Sequence, residues 1–157
     1  MANYLAAKQL RRLVYGEKVT RAAALLPATG TGNIFTVTGG RVLITSFFGV
    51  AVTASPATTN TLKVSVAPTS GTGADLCAAV SVASKEAGSQ ILLPDPVASG
   101  SNLVVATAGG NAAASGHAFV VPVGSITLTT SGTAATGTWQ WDLTYVALDD
   151  GAAVAAA

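Results

Sequence analysis

The stretch from Thr138 to Asp150, TWQWDLTYVALDD, constrains this chain more than any other. Trp139, Trp141, Leu143, Tyr145 and Ala147 fall on one side of a two-residue repeat, and Thr138, Gln140, Asp142 and Thr144 on the other. Side chains on a β-strand alternate between faces, so the pattern predicts a strand with one apolar and one polar face. Both tryptophans of the chain and one of its three tyrosines lie on the apolar side, which makes that face the main site of aromatic burial. Asp149-Asp150-Gly151 supplies the turn chemistry that ends it. A strand of this kind needs a second layer to cover it.

Composition says how that layer is made. At 157 residues the chain is one domain by length, long enough to bury roughly 70% of its extended surface. Half the residues are hydrophobic and 10% are charged, against about 25% charged in typical soluble domains. Much of the apolar share is alanine, with Gly, Ser and Thr filling most of the rest. Small residues bury little area each, so a lone subunit would have a thin core and a weakly charged surface. That suits a subunit which hides surface against neighbours better than it suits a freely diffusing enzyme.

Charge is segregated along the chain. Through Lys63 there are seven cations (Lys8, Arg11, Arg12, Lys18, Arg21, Arg41, Lys63) and one anion, Glu17. Beyond it Lys85 faces Asp75, Glu86, Asp95, Asp142, Asp149 and Asp150. A basic N-terminus is expected to steer toward an acidic surface. Five cations between Lys8 and Arg21 with two tyrosines nearby are a weak nucleic-acid signal, so an acidic protein partner is expected and nucleic acid is not. Cys77 is the only cysteine, which excludes an intrachain disulfide, and it reads as a small buried residue. Lys8, Gln9, Arg11 and Arg12 interrupt any signal-peptide core. The longest greasy run, Val42–Val52, is too short for a bilayer. No membrane association is expected, and the expected place of synthesis is a host cytoplasm.

Asn3 to Tyr15 is the one helix candidate, capped by Asn3 and stopped by Gly16. Leu10, Leu13 and Val14, with Ala6 a turn earlier, make its apolar stripe, and Lys8, Arg11, Arg12 and Tyr15 lie mostly off it. The helix either packs on its own domain or forms an arm laid on another subunit; the many long basic side chains favour the arm. Lys18 to Pro27 reads as a connector, and 28–33 as a loop. Ile34–Thr38 is a predicted strand, the Gly39-Gly40 pair a hairpin turn, and Arg41–Thr53 a second strand, apolar on both faces near Phe47-Phe48 and with a bulge or bend at Gly49. Such a strand must be covered twice. Further strands are expected at Thr61–Val66, Asp75–Ala83, Gln90–Leu93, Leu103–Ala106, Ala118–Val121 and Ser125–Thr130. Small-residue loops separate them, notably Gly109–Gly116 and Ser131–Gly137, and Pro94-Asp95-Pro96 closes one strand.

About eight strands with turn signals every eight to twelve residues predict an all-β, antiparallel β-sandwich or jelly roll with a short N-terminal helix or arm. The expected division is 1–26 arm and connector, 27–151 sandwich, and 152–157 an alanine-rich tail. Trp139, Trp141, Leu143 and Tyr145, with Phe35 and Phe47 from other strands, are the expected core.

Catalytic patterns are missing from the sequence. There is no Gly-x-Ser-x-Gly elbow and no phosphate-binding Gly-x-x-x-x-Gly-Lys loop. Gly30-Thr31-Gly32 precedes a strand, so it reads as a flexible lead-in and not as a phosphate cradle. His117 is the sole histidine, no motif places it in a triad, and one Cys with one His do not make a metal set. Asp142 beside Trp141 suggests a sugar cleft, but their opposite parity puts them on different faces, and glycoside hydrolysis needs a second carboxylate. The expectation is a non-enzyme with no cofactor and no metal.

Two runs carry a family resemblance: Asn33-Ile34-Phe35-Thr36-Val37-Thr38-Gly39-Gly40-Arg41-Val42-Leu43-Ile44-Thr45, and Gly124-Ser125-Ile126-Thr127-Leu128 followed by Gly137 to Gly151. Over roughly residues 19 to 154 the chain resembles small virion proteins of tailed bacteriophages, described as minor head, decoration or capsid cement proteins. The resemblance implies a subunit added to the outer capsid surface, bridging major capsid protein subunits, often as a homo-oligomer and commonly a trimer. The attachment segment is read from the residues themselves: in the basic N-terminal stretch Asn3–Arg21, Tyr4, Lys8, Arg11, Arg12 and Arg21, with the apolar Leu10, Leu13 and Val14, are the expected contacts. Two other roles remain open at this point. One is a host-glycan or receptor-binding module using the Gly/Ser/Thr loops; the other is a head–tail connector or tail protein.

Overall fold

The computed structural model describes residues 7–26, 29–57, 59–93, 104–108, 117–132 and 136–157. It is all-β apart from one short helix, with two antiparallel sheets. The helix α1 (Ala7–Tyr15) is followed by β1 (Glu17–Leu26), β2 (Gly30–Thr38), β3 (Val42–Ala51) and β4 (Asn60–Pro68). Next come the short strands β5 (Ala74–Asp75), β6 (Val80–Ser81), β7 (Gln90–Leu92), β8 (Val104–Ala106) and β9 (Phe119–Val121). The last three are β10 (Gly124–Gly132), β11 (Thr136–Ala147) and β12 (Ala153–Ala156). Sheet A runs β1-β11-β3-β7-β8 with β9 also on β3; sheet B runs β12-β2-β10-β4-β5 with β6 also on β4.

The aromatic strand lies where its pattern predicts. Trp139, Trp141 and Leu143 are fully buried and Tyr145 nearly so. Phe35 and Phe47 face them, with Phe47 5.5 Å from Trp141 and 6.2 Å edge-on from Phe35. The two indoles lie 6.1 Å apart at 25°. Gly49, opposite Trp141 in the register, is what admits that ring: a Cβ there would lie 2.5 Å from it. The bulge expected at Gly49 is instead at Thr45, where β3 has one residue more than β11. The extra residue switches parity, so Ile44 and Phe47 both point inward and Phe48 points out.

Four expectations about the chain's course change. The supposed connector after Lys18 is strand β1, the edge of sheet A, paired with β11 from Glu17↔Tyr145 to Leu26↔Thr136. The loop at 30–33 is the start of β2. The alanine-rich tail is strand β12, whose backbone pairs with β2 from Ala153↔Thr38 to Ala156↔Phe35. Alanine has weak β propensity, and here ladder hydrogen bonds override it. Finally, Gly39-Gly40 is not a hairpin turn, because β2 and β3 belong to different sheets. It is a corner, and Gly39 (φ 74°) is pressed so closely on the Gly151 carbonyl that no side chain fits. The strand expected over Asp75–Ala83 is reduced to β5 and β6, so the described residues hold twelve strands where about eight were expected.

Candidate interaction surface

Sheets A and B differ on their outer faces. On sheet B the outward positions are hydroxyl-rich: Thr36, Ser125, Thr129, Thr61 and Ser65, with Lys63 paired to Asp75 at 2.8 Å. On sheet A they are mixed: Thr138, Gln140, Asp142 and Thr144 on β11 and Thr45 and Ser46 on β3 are polar, and an apolar group lies among them. Phe48 and Val50 are half-buried, and Val146, Val52 and Val120 are 40%, 47% and 53% exposed. Val146, Leu43 and Val120 form one cross-strand row over β11, β3 and β9. The double apolar character of the Phe47-Phe48 strand is therefore real, with only its inner side covered by the second sheet.

The N-terminal segment joins this outer face. Gly16 ends α1 in a left-handed conformation (φ 92°), its N–H donating to the Arg12 carbonyl at 3.0 Å. Thr45 Oγ1, on the bulge, donates to the Tyr15 carbonyl at 3.1 Å. An open cleft of about 360 Å³ separates Val14 and Tyr15 from Thr45, Ser46 and Thr144. Of the described side chains of the apolar stripe of α1, Leu10 is 49% exposed and Val14 69%, and Tyr15 beside it is 68% exposed.

Of the predicted contact residues, Tyr4 lies outside the described residues, as do the side chains of Lys8, Arg11 and Leu13. Leu10, Arg12 and Val14 are on α1 and exposed. Arg12 pairs with Glu17. Arg21 belongs to β1, not to an arm, and its Nε donates to the Ala157 carbonyl at 2.9 Å, joining the edges of the two sheets. The loop 109–116 lies outside the described residues, as do residues 133–135 of 131–137.

Charge segregation along the sequence has an internal purpose here. Lys18 pairs with Asp142 at 2.9 Å, Arg41 with Asp149 at 2.8 Å and Lys63 with Asp75 at 2.8 Å. Each joins a cation of the first part to an anion of the second. The Asp142 cluster is the feature that sequence reasoning missed. Asp142 points outward from β11 yet is only 4% exposed, and it accepts from Thr20 Oγ1 as well as from Lys18. Thr20 and Asp142 are direct register partners 122 residues apart, with no local signal linking them. Lys18 Nζ also lies 5.8 Å over the Phe48 ring. Trp141 and Asp142 are on opposite faces of sheet A, so they share no cleft.

Among the described residues no three His, Cys, Asp or Glu side chains cluster as metal ligands, and no helix is long and apolar enough to cross a membrane. Cys77 is buried, held between the Val64 N–H (3.2 Å) and carbonyl (3.8 Å), and burial pushes its thiol pKa up. Comparison with protein-family models, with curated proteins and with solved structures finds no match.

Proposed function

We propose that this chain is a non-enzymatic structural protein of a tailed-phage virion: a decoration, or cement, subunit on the outer capsid surface that bridges major capsid protein subunits. The observation that carries the reading is the exposed stripe of α1. Leu10 and Val14 form an apolar edge that the sandwich beneath does not cover. A helix stripe left open on a weakly charged β-sandwich is an attachment device. The apolar row of Leu43, Val120 and Val146 on the outer face of sheet A supports the same reading, because repeated modest contacts over a shell sum through multivalency. The two segments that resemble virion proteins also meet in space, as the β2–β3 and β11–β12 corners.

The test is a truncation that stops at Tyr15. Deleting further, through Arg21, would remove half of β1 and take Lys18 and Thr20 from Asp142. The protein lacking residues 1–15 is expected to fold and to stop sedimenting with capsids of the phage that encodes it. Saturation of the shell by the truncated protein would end the attachment role of α1.

A further inference from the structure

Among the described residues, strand β1 is the edge of sheet A and pairs there with β11 alone. Only three residues, Pro27-Ala28-Thr29, separate it from β2, which lies in the opposite sheet. Its fit to β11 is chemically specific. Asp142 is a buried carboxylate that needs a cation and a hydroxyl from whichever strand lies beside it, and Lys18 and Thr20 supply both. At the other end of β1, just before the link, Leu25 is 65% exposed next to the small residues Ala22 and Ala23.

We propose that α1 and β1 together form an exchangeable strap, donated in the assembled state to β11 of a neighbouring copy. This rests on the reading of the chain as an assembly subunit and names the contact between copies. An exchanged strap keeps the β1–β11 register and gives each Asp142 a Lys18 and a Thr20 from next door. Exchange is a low-cost route to oligomers, and short links favour it. The occupant is a second copy of this chain, because the charge and hydroxyl pattern that Asp142 selects is carried by β1 itself.

Charge reversal in trans tests it. Lys18→Asp and Asp142→Lys each place like charges at the clip, and each variant alone is expected to be weakly assembled. Mixed, they are expected to form oligomers containing both variants, since the Asp at 18 of one chain meets the Lys at 142 of the other. A mixture that behaves as the sum of its parts overturns the proposal. A second variant guards against misfolding: Leu25→Cys with Thr138→Cys, which are register partners. Oxidised in concentrated solution, this double variant is expected to run as covalent multimers on a non-reducing gel. Exclusive intrachain cross-linking contradicts exchange, and would leave the virion reading standing if the protein is still found on particles.

Discussion

Arg41 grips Asp149 with three hydrogen bonds. Its backbone N–H and Nε both donate to Oδ2, at 2.7 and 2.9 Å, and Nη2 donates to Oδ1 at 2.8 Å. Arg41 begins the run into β3, and Asp149 opens the turn into β12. Both connections carry the chain from one sheet to the other, so this clamp ties the two crossings together at one corner of the sandwich.

The clamp predicts an acid-sensitive corner. Hydrogen bonds from the Arg41 side chain and backbone hold the Asp149 carboxyl well below the usual carboxylate range. Lys63 and then Ser65 lower Asp75 in the same way. A carboxyl depressed in the folded state contributes stability that is complete above its unfolded value, about 3.9. That contribution is lost as pH falls toward the folded value. Thermal midpoints should therefore hold steady above about pH 5 and fall below about pH 4. Asp149→Asn should lower the midpoint at neutral pH and flatten the acid decline. An unchanged acid slope in that variant would remove Asp149 from the explanation.

Gly49 is predicted to be intolerant of any side chain. Gly49→Ala drives a methyl to 2.5 Å from the Trp141 ring and should cost about 1–3 kcal/mol in chemical denaturation. Trp141→Ala, which empties the site instead, should cost about 3–5 kcal/mol. Restored stability in a Gly49→Ala, Trp141→Phe double variant, relative to the two single losses summed, would show that the two positions share one space.

Asp142→Ala should destabilise the fold by about 1.5–3 kcal/mol, the scale of hydrogen bonds to a charged group. The loss should be local. Amide exchange is expected to accelerate along β1, whose Lys18 and Thr20 lose their acceptor, while β10 in sheet B keeps its protection. Uniform acceleration in both sheets would contradict the clip.

Cys77 should resist thiol reagents in the native protein. It is 1% exposed and burial raises its pKa, so little thiolate is available. Labelling should rise in step with denaturant unfolding. Rapid native-state labelling would mean that β4 and the segment after β5 open far more readily than their packing implies.

What could be read in advance followed from side-chain size and alternation. β11 and β4 announce themselves because large apolar residues recur every second position. β1 and β12 do not, because alanine carries almost no face signal, and both were mistaken for irregular chain. Gly39-Gly40 serves a hairpin and a sheet-to-sheet corner equally well by local chemistry, and only the partner turn at Asp149–Gly151 decides between them. Glycine in a strand marks either a bulge or a close approach; at Gly49 it is the approach of the Trp141 ring, and the bulge is at Thr45. The candidate surface was legible in part. The stripe of Leu10 and Val14 was visible in sequence, whereas Asp142 and its partners meet only through a register spanning most of the chain.

The most direct test of the proposed virion role is quantitative mass spectrometry on purified, DNA-filled phage particles assembled in cells that make this chain. A cement subunit should be present in hundreds of copies, in fixed proportion to the major capsid protein, an estimate from shell symmetry. About a dozen copies would place it at a connector instead, and its absence from particles would contradict the account.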